Sequence, residues 1–496
     1  MSTISAIRQL STGVPGLDAI LGGGLPEYSL NIIIGPPGSG KTTLAHQIMF
    51  SLATREHPAL FFSVLGEPPL KMLRYQQQFS FFNPDKINEA IRFVSLSEDI
   101  ATGDYARVLE RIAREVQASS PGLVFVDSFR SVMYEAQHLP NTTISLQQFV
   151  QQLGIQLGCW QTTSFLIGEY WSESVHHPVF TVADGLLSLR QSVHRNSMVR
   201  KIHVLKMRGQ AIRPGMHTFS ITSAGIVVYP TALVLEGIAD APSAPEELHG
   251  RARLATGVPR LDEMLGGGLP SGYSLLVAGP SGSGKTILAD AFLAEGVRRG
   301  EPGVIVAFEQ TPSQSWMRAL NDMIRNGQIG LINTRPLDLS IDEIVHRLTE
   351  VIQRMKATRV VIDSLSGFEL AVAPTFREDF RESLFRMFAV LSGLGVTVLM
   401  TSELEDRYID LRFSPYGAAF LTDAIIVQRY IEVRSTLQRV MAVVKLRASA
   451  HDKEIRRYEI TDEGIVIGDP VIDYEGILGG QPTRTKTPGQ GDQGKR

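Results

Sequence analysis

One eight-residue motif occurs twice in this chain, at residues 35–42 and 279–286, and each copy lies between an apolar stretch and a run suited to a helix. Both copies fit the pattern Gly-x-x-x-x-Gly-Lys-Ser/Thr. Glycines allow successive backbone N–H groups to turn inward around an anion, and the start of the following helix adds the positive end of its dipole. A glycine turn without a function is the alternative for one match, but two matches in the same context favour phosphate-binding loops.

The last two residues of each motif carry its chemistry. Lys41 and Lys285 supply a cation that can reach the β- and γ-phosphates of a nucleotide. Thr42 and Thr286 each offer a hydroxyl to Mg²⁺. The motif therefore predicts two sites for a nucleotide bound with Mg²⁺.

A carboxylate ends one apolar strand in each half of the chain, at Asp127 and at Asp363. In a parallel sheet this is the edge at which ligands bind, so each Asp can share a Mg²⁺ shell with the loop threonine. A helix cap is the alternative role, because Ser128 and Ser364 follow. With a phosphate loop upstream, we expect the metal role.

A further carboxylate can orient the water or hydroxyl that attacks the γ-phosphate. Glu309 follows an apolar strand of the second half, where it can contact that attacking group and the metal shell. In the first half we assign the equivalent position to Gly66, beside which only Glu67 remains. A solvated strand end is the alternative for both glutamates. We expect catalysis for Glu309 and leave it open for Glu67.

The two halves are copies of one domain. The motif Thr-Gly-Val-Pro-x-Leu-Asp begins at Thr12 and again at Thr256, and its offset of 244 residues is also that of the loop lysines. Fully apolar strands alternate with helices in both copies, which predicts an α/β fold with a mostly parallel sheet covered by helices on both faces. The strands that end each copy are predicted to be antiparallel, at 202–209, 219–227, 440–447 and 458–466.

Composition sets the domain limits and the class of protein. We predict a first domain at 1–235, a linker rich in Ala, Pro and Glu at 236–253, a second domain at 254–480 and a disordered tail at 481–496. A net charge of −3 gives no reason to expect non-specific binding to nucleic acid or to a membrane surface. The single cysteine, Cys159, excludes an intrachain disulfide, is expected to be buried, and fits a reducing compartment. Because no secretion signal and no apolar run of about 18 residues is visible, we expect a soluble, cytoplasmic protein.

Two cations flank one apolar residue on a C-terminal strand of each copy, as Lys206 and Arg208 and as Lys445 and Arg447. Strand alternation places both side chains of a pair on one face. Such a pair can reach the γ-phosphate held by a neighbouring subunit, as an arginine finger does, or it can form a solvated basic edge. The spacing alone does not decide between these roles.

Together these features resemble the RecA-type ATPases, and specifically the duplicated KaiC proteins of the bacterial circadian-clock family. The resemblance covers roughly residues 10–485. It rests on the paired Thr-Gly openings, the doubled loops and the Lys-x-Arg strands, with further matching passages at 451–456 and 480–484.

This resemblance implies two tandem RecA-like domains, a homohexamer that forms a double ring, and ATP bound with Mg²⁺ between subunits. It places the proton-accepting role on Glu309 and counts the loop lysines, Arg208 and Arg447 as catalytic. The implied loop contacts with the nucleotide are Gly38, Ser39, Gly40, Lys41, Thr42, Thr43, Gly282, Ser283, Gly284, Lys285, Thr286 and Ile287. The implied contacts from the neighbouring subunit are Lys206, Met207, Arg208, Lys445, Leu446 and Arg447, with Arg439, Ser449 and His451 nearby.

Three departures from the family pattern bear on activity. Gly66 at the position of the first glutamate argues against strong hydrolysis by the first domain, and Gln310 stands where the family often has a second glutamate. Ala419 and Phe420 take the place of the phosphorylated Ser-Thr pair of the clock proteins, and neither side chain can accept a phosphate.

The main hypothesis is therefore a ring-forming ATPase whose second domain is the better catalyst. A serine/threonine autokinase is one alternative, which the loss of both hydroxyls at 419–420 opposes. A nucleotide-dependent scaffold for a signalling protein, such as a histidine kinase, is another. A DNA recombinase is a weaker alternative, because the charge is slightly negative and no basic aromatic groove is visible.

Overall fold

Each half of the chain is an α/β domain built around one nine-stranded sheet, which confirms the predicted fold class. The two compact units are Met1–Thr231 and Ala232–Arg496. Within the residues that the structure describes, no helix is long and apolar enough to cross a membrane. The computed structural model describes residues 7–64, 69–100, 105–128, 146–169, 178–194, 197–231, 252–308, 318–333, 340–372, 380–404, 421–433, 435–472, 474–475 and 483–484.

The first unit contains one large sheet, ordered β11-β10-β9-β8-β3-β7-β6-β4-β5, and a small β1-β2 pair. Its strands are β1 (Gln9–Leu10), β2 (Leu25–Pro26), β3 (Leu30–Ile34), β4 (Ala59–Ser63), β5 (Ile91–Ser95), β6 (Leu123–Asp127), β7 (Thr163–Gly168), β8 (Gly185–His194), β9 (Ser197–Met207), β10 (Met216–Thr222) and β11 (Gly225–Tyr229). Its helices are α1 (Leu17–Leu21), α2 (Lys41–Leu52), α3 (Pro69–Gln76), α4 (Ser97–Ile100), α5 (Tyr105–Ser119), α6 (Leu146–Cys159) and α7 (Pro178–Val182). Strands β3 to β8 pair in parallel, and β8 to β11 pair antiparallel.

The second unit repeats this sheet in the order β16-β15-β17-β18-β14-β19-β20-β21-β22. Its strands are β12 (Arg253–Leu254), β13 (Leu269–Pro270), β14 (Ser274–Gly279), β15 (Gly303–Ala307), β16 (Ile329–Asn333), β17 (Arg359–Asp363), β18 (Thr397–Glu403), β19 (Ala424–Val433), β20 (Thr436–Leu446), β21 (Arg456–Thr461), β22 (Gly464–Pro470), β23 (Tyr474–Glu475) and β24 (Thr483–Arg484). Its helices are α8 (Pro259–Met264), α9 (Lys285–Arg298), α10 (Arg318–Arg325), α11 (Ile341–Met355), α12 (Leu365–Ala371) and α13 (Phe380–Gly393). Read by position in the sheet, β14 corresponds to β3 and β20 to β9.

The central strands are continuously apolar because each sheet has a core on both of its faces. Every residue of β3 and of β4 is buried. Along β3, Ile32 and Ile34 join one core cluster, while Ile33 joins another together with residues of α2. Strands of this kind bring their carboxyl ends to one edge of the sheet, where a ligand can bind.

The Thr-Gly motif that opens each copy has a structural role. The backbone N–H and hydroxyl of Thr12 donate to Oδ1 of Asp18 at 2.9 and 2.6 Å. Thr256 makes the same two bonds to Asp262, both at 2.8 Å. The motif therefore ties the chain that enters each unit to the helix that precedes the phosphate-loop strand.

A one-residue bulge interrupts the same antiparallel pair in both units. Leu187 pairs with Val204, but Leu186 pairs with Lys206, so Leu205 is the extra residue of β9. In the second unit the extra residue is Val444 of β20, directly before Lys445. Both bulges therefore lie immediately before the lysine of the Lys-x-Arg sequence.

Three details differ from expectation or lie partly beyond the described residues. Each predicted last strand is a hairpin, because a tight turn divides β10 from β11 and β21 from β22. Cys159 is exposed at the end of α6, so the expectation that it is buried was wrong. In the predicted tail, Thr483–Arg484 pairs with Tyr474–Glu475, and 481–482 and 485–496 lie outside the described residues.

Candidate nucleotide-binding site

The two phosphate loops connect β3 to α2 and β14 to α9, as the motif predicts. The glycines that precede the lysines, Gly40 and Gly284, have φ values of 96° and 94° and form the N-terminal caps of these helices. A positive φ of this kind favours glycine, and a Cβ atom at Gly284 would also lie 2.9 Å from Cδ1 of Ile460, whose side chain would have to move. Each loop therefore presents the amide-rich start of a 12- or 14-residue helix at the carboxyl edge of its sheet.

The loop lysines lie against their own loops. The ammonium of Lys41 donates to the carbonyl of Pro36 at 2.8 Å, and that of Lys285 donates to the carbonyls of Gly279 and Pro280 at 2.9 and 2.7 Å. Burial lowers the pKa of Lys41, while the carboxylates of Glu169 and Asp127 act in the opposite direction. A largely buried cation of this kind gains most from an anionic ligand, because little water competes for it.

Each loop threonine is joined to the carboxylate that was predicted to accompany it. The hydroxyl of Thr42 donates to Oδ2 of Asp127 at 2.7 Å, and that of Thr286 donates to Oδ2 of Asp363 at 2.9 Å. In the second unit Thr401 also hydrogen-bonds to Asp363. Mg²⁺ in nucleotide sites is held by one or two protein oxygens together with water and phosphate oxygens, and each Thr–Asp pair fits that requirement.

The first unit has a cavity of about 350 Å³ over this loop. Both members of the Thr–Asp pair line it together with the loop lysine, and apolar side chains from β4, α3 and β10 complete the wall. Its lining residues are Pro37, Gly38, Gly40, Lys41, Thr42, Thr43, Phe61, Ser63, Met72, Asp127, Ser128, Glu169 and Ile221. The cavity therefore combines a cation, metal-binding oxygens and backbone N–H groups.

The remaining loop residues have mainly structural contacts. Ser39 and Ser283 are buried, and Ser283 donates to Gln428 at 3.0 Å while its carbonyl accepts from Tyr458 at 2.5 Å. Ile287 is partly buried against the core of its unit. These contacts anchor the loop to the helix and to the antiparallel strands beside it.

The proposed water-orienting residues Glu67 and Glu309 lie outside the described residues. The strand register does correct their alignment. Ser63 pairs with Asp127 as Ala307 pairs with Asp363, so Val64 corresponds to Phe308 and Leu65 corresponds to Glu309. The assignment of Gly66 to that position was therefore wrong by one residue, and the position still lacks a carboxylate.

A carboxylate that sequence reasoning missed lies at the site of the first unit. Glu169 follows β7, and its Oε1 is 3.9 Å from Nζ of Lys41. Glu403, at the end of β18, has the matching place in the second unit, because Gly279 pairs with Glu403 and Ile34 with Gly168. The rule that identified Asp127, a carboxylate where an apolar strand ends, would also have found these two residues.

The Lys-x-Arg pairs lie at the opposite end of each sheet from the phosphate loop. Met207, next to both cations, pairs with the first residue of β8, and β8 starts beside Asn31. The loop begins after Ile34, roughly 13 Å away along the strand direction. A pair therefore cannot reach the nucleotide bound by the loop of its own unit.

The cations of both pairs are held at the surface by the segment that precedes β8 or β19. Lys206 and Arg208 each donate to the carbonyl of Thr181 at 3.2 Å, so both side chains lie on one face. Arg208 and Arg447 form ion pairs of 3.3 Å with Asp184 and Asp423, and their side chains are 58% and 51% exposed. Burial and the neighbouring arginine lower the pKa of each lysine.

The other residues of this predicted group do not all lie together. Arg439 pairs with Tyr430 six residues before Lys445, and its guanidinium lies 5.5 Å from the centre of that ring, beside the phosphate loop of its own unit. Arg439 is therefore separated from Lys445 along β20, and its contact with a nucleotide stays a prediction. Ser449 accepts a bond of 2.5 Å from Arg253, and His451 is half-buried two residues later. Met207 and Leu446 are buried in the cores, so only their backbone is available to a ligand.

Comparison with known proteins agrees with this architecture. Among similar proteins, the circadian clock oscillator protein KaiC of Picosynechococcus sp. is 27% identical over 97% of this chain and 93% of its own length. The circadian clock protein KaiC3 of Synechocystis sp. is 28% identical over 97% and 95%, and KaiC 1 of the same organism is 27% identical over 96% and 92%. A family model described as the KaiC ATPase matches twice, at residues 10–232 and 254–471. The chain therefore belongs to the KaiC family of ATPases.

Proposed function

We propose that this protein hydrolyses ATP with Mg²⁺ at the interfaces between its own copies, in a homohexamer, and that the second unit is the better catalyst. The observation that carries this proposal is the separation of loop and Lys-x-Arg pair to opposite ends of each sheet. Exposed cations that cannot reach the nucleotide of their own unit are available to the nucleotide of a neighbouring copy.

The difference between the units rests on Glu309. Glu309 comes two residues after Ala307, which pairs with Asp363, and the residue that aligns with it in the sequence of the first unit is Leu65. General-base catalysis contributes about 10²–10⁴-fold to a rate, so a unit without this group is expected to turn over far more slowly.

Mixing two inactive variants tests the shared site. The Glu309→Gln chain retains an intact basic pair, and the Arg447→Ala chain retains an intact loop and Glu309. Each variant alone is expected to lose at least about tenfold in ATP turnover, whereas mixing the protomers before nucleotide is added should restore a substantial part of it, because complete sites form between unlike chains. The matched control is Arg457→Ala, which removes an exposed arginine of β21. Full turnover by the Arg447→Ala chain, or no recovery on mixing, would contradict the proposal.

A second candidate function is a nucleotide-dependent scaffold for a signalling protein. The missing carboxylate at Leu65 favours it for the first unit. Native mass with and without Mg²⁺-ATP, measured beside a turnover assay, separates the two functions. Assembly without hydrolysis supports the scaffold, and transfer of labelled γ-phosphate to the chain would instead support an autokinase.

A further inference from the structure

Glu169 forms an ion pair with the loop lysine of the first unit, at 3.9 Å from Nζ of Lys41. It follows β7, the strand that separates the loop strand β3 from the Asp127 strand β6. Because Ile34 pairs with Gly168, residue 169 lies level with the first residue of the phosphate loop. The fold therefore places this carboxylate at the γ-phosphate end of the predicted site.

Its electrostatic surroundings separate it from an ordinary surface glutamate. The Glu169 side chain is 36% exposed, whereas Lys41, 3.9 Å away, is 7% exposed. Of the two carboxylates that raise the pKa of Lys41, Glu169 has the larger effect. Glu169 thus stands between the buried cation and solvent, in a cavity whose polar lining also includes Thr42 and Asp127.

A bound triphosphate would change this contact. Its γ-phosphate carries more negative charge than one carboxylate and would replace Glu169 as the ion-pair partner of Lys41. Glu169 would then turn to the solvent side of the phosphate. An attacking water must approach from that side, opposite the leaving ADP. In the sequence, Leu65 of the first unit aligns with Glu309 of the second.

We propose that Glu169 is the catalytic residue that orients and deprotonates the attacking water in the first unit, an inference that rests on the function proposed above. The water oxygen forms a bond to the γ-phosphorus, and the bond from that phosphorus to the β–γ bridging oxygen breaks. ADP leaves with the electron pair, and the water proton passes to a carboxylate oxygen of Glu169, which later releases it to solvent. The products are ADP and inorganic phosphate.

The test uses the full chain with Glu309→Gln and Glu403→Gln, in which the second unit has neither carboxylate and the remaining turnover comes from the first unit. Adding Glu169→Gln is expected to lower that residual turnover about a hundredfold, with the KM for ATP changed less than about threefold. Glu169→Asp keeps a carboxylate and should recover part of the rate. Glu110→Gln, a change at an exposed residue of α5, serves as the control.

Two outcomes would overturn the inference. If Glu169→Gln leaves the residual turnover unchanged and tightens ATP binding, the only role of the carboxylate is to form an ion pair with Lys41 in the nucleotide-free site. If the chain with both Glu309→Gln and Glu403→Gln has no residual turnover, the first unit needs no such residue. Failure of the proposed function is distinct, because the parent chain itself would then not hydrolyse ATP.

Discussion

Asp290 occupies in the second unit the position that His46 occupies in the first, the fifth residue after the loop lysine. Both side chains are buried behind the phosphate loop, and within the described parts of the chain Oδ1 of Asp290 has no hydrogen-bond partner. Burial, followed by the charge of Asp363, raises the pKa of Asp290 to about 7, whereas burial lowers the pKa of His46 to about 4. The two units should therefore respond to pH in opposite ways.

The second unit should lose stability as pH rises. The pKa of Asp290 is 3.8 in the unfolded chain and about 7 in the folded one. The free energy of unfolding therefore falls as the pH rises between these two values. A pKa difference of this size lowers the free energy of unfolding by at most about 4 kcal/mol. Asp290→Asn should raise the melting temperature of the nucleotide-free second unit at pH 8 by several degrees more than at pH 5. Asp469→Asn, at an exposed position, is the control, and an equal effect at both pH values would contradict the prediction.

The first unit should lose stability as pH falls from 6.5 towards 4. In that range His46 of the unfolded chain binds a proton, whereas the buried ring does not. The free energy of unfolding should therefore be about 3 kcal/mol lower at the acid end of this range. His46→Asn should reduce this loss, as measured by urea unfolding at pH 4.5 and 7.5. The control is His57→Asn, at an exposed residue. If both variants show the parent's acid sensitivity, His46 is not its source.

Arg359 should be one of the most costly residues to remove from the second unit. It is fully buried, and it donates to Glu301 at 2.8 Å and to the carbonyls of Ala255 and Phe292 at 2.7 and 2.8 Å. Arg359→Ala leaves these acceptors unpaired and should cost about 3–5 kcal/mol in the free energy of unfolding. Arg354→Ala, at an exposed position of α11, should cost less than about 1 kcal/mol. Similar losses for both variants in urea titrations would show that burial of the ion pair is unimportant.

Gly257 of the opening motif should be intolerant of a side chain. Its φ is 86°, and a Cβ atom there would lie 2.5 Å from the carbonyl oxygen of Ala291 in α9. Gly300 has a similar φ of 77°, but nothing lies within 4 Å of its Cβ position. Gly257→Ala should therefore lower the melting temperature clearly more than Gly300→Ala, since only the first adds a clash to the backbone cost. Equal shifts for the two variants would assign the whole effect to backbone conformation.

The repeated motifs were enough to predict the fold class and the pairing of loop threonine with strand-end aspartate. Both depend on local sequence. The loop that carries Thr42 follows one apolar strand and Asp127 ends another, so both residues are expected at the carboxyl edge of the parallel sheet. The position of Arg439 was not predictable in this way, because its distance from Lys445 depends on how far β20 extends along the sheet. Glu169 is less evident from the sequence, because it follows β7 by one residue, whereas Asp127 is the last residue of β6.

The bulge at Leu205 and at Val444 decides which side of the sheet receives the cations. With regular pairing after Val204 and Val443, Lys206 and Lys445 would oppose Gly185 and Ala424, and Ala424 contributes its side chain to the core behind α9. One additional residue shifts the in-and-out alternation by one step, so Leu446 enters that core and the lysine points away from it. Without this one inserted residue, which is present in both copies, the strand would place the lysine ammonium groups in the hydrophobic core. With it, the strand presents them to another molecule.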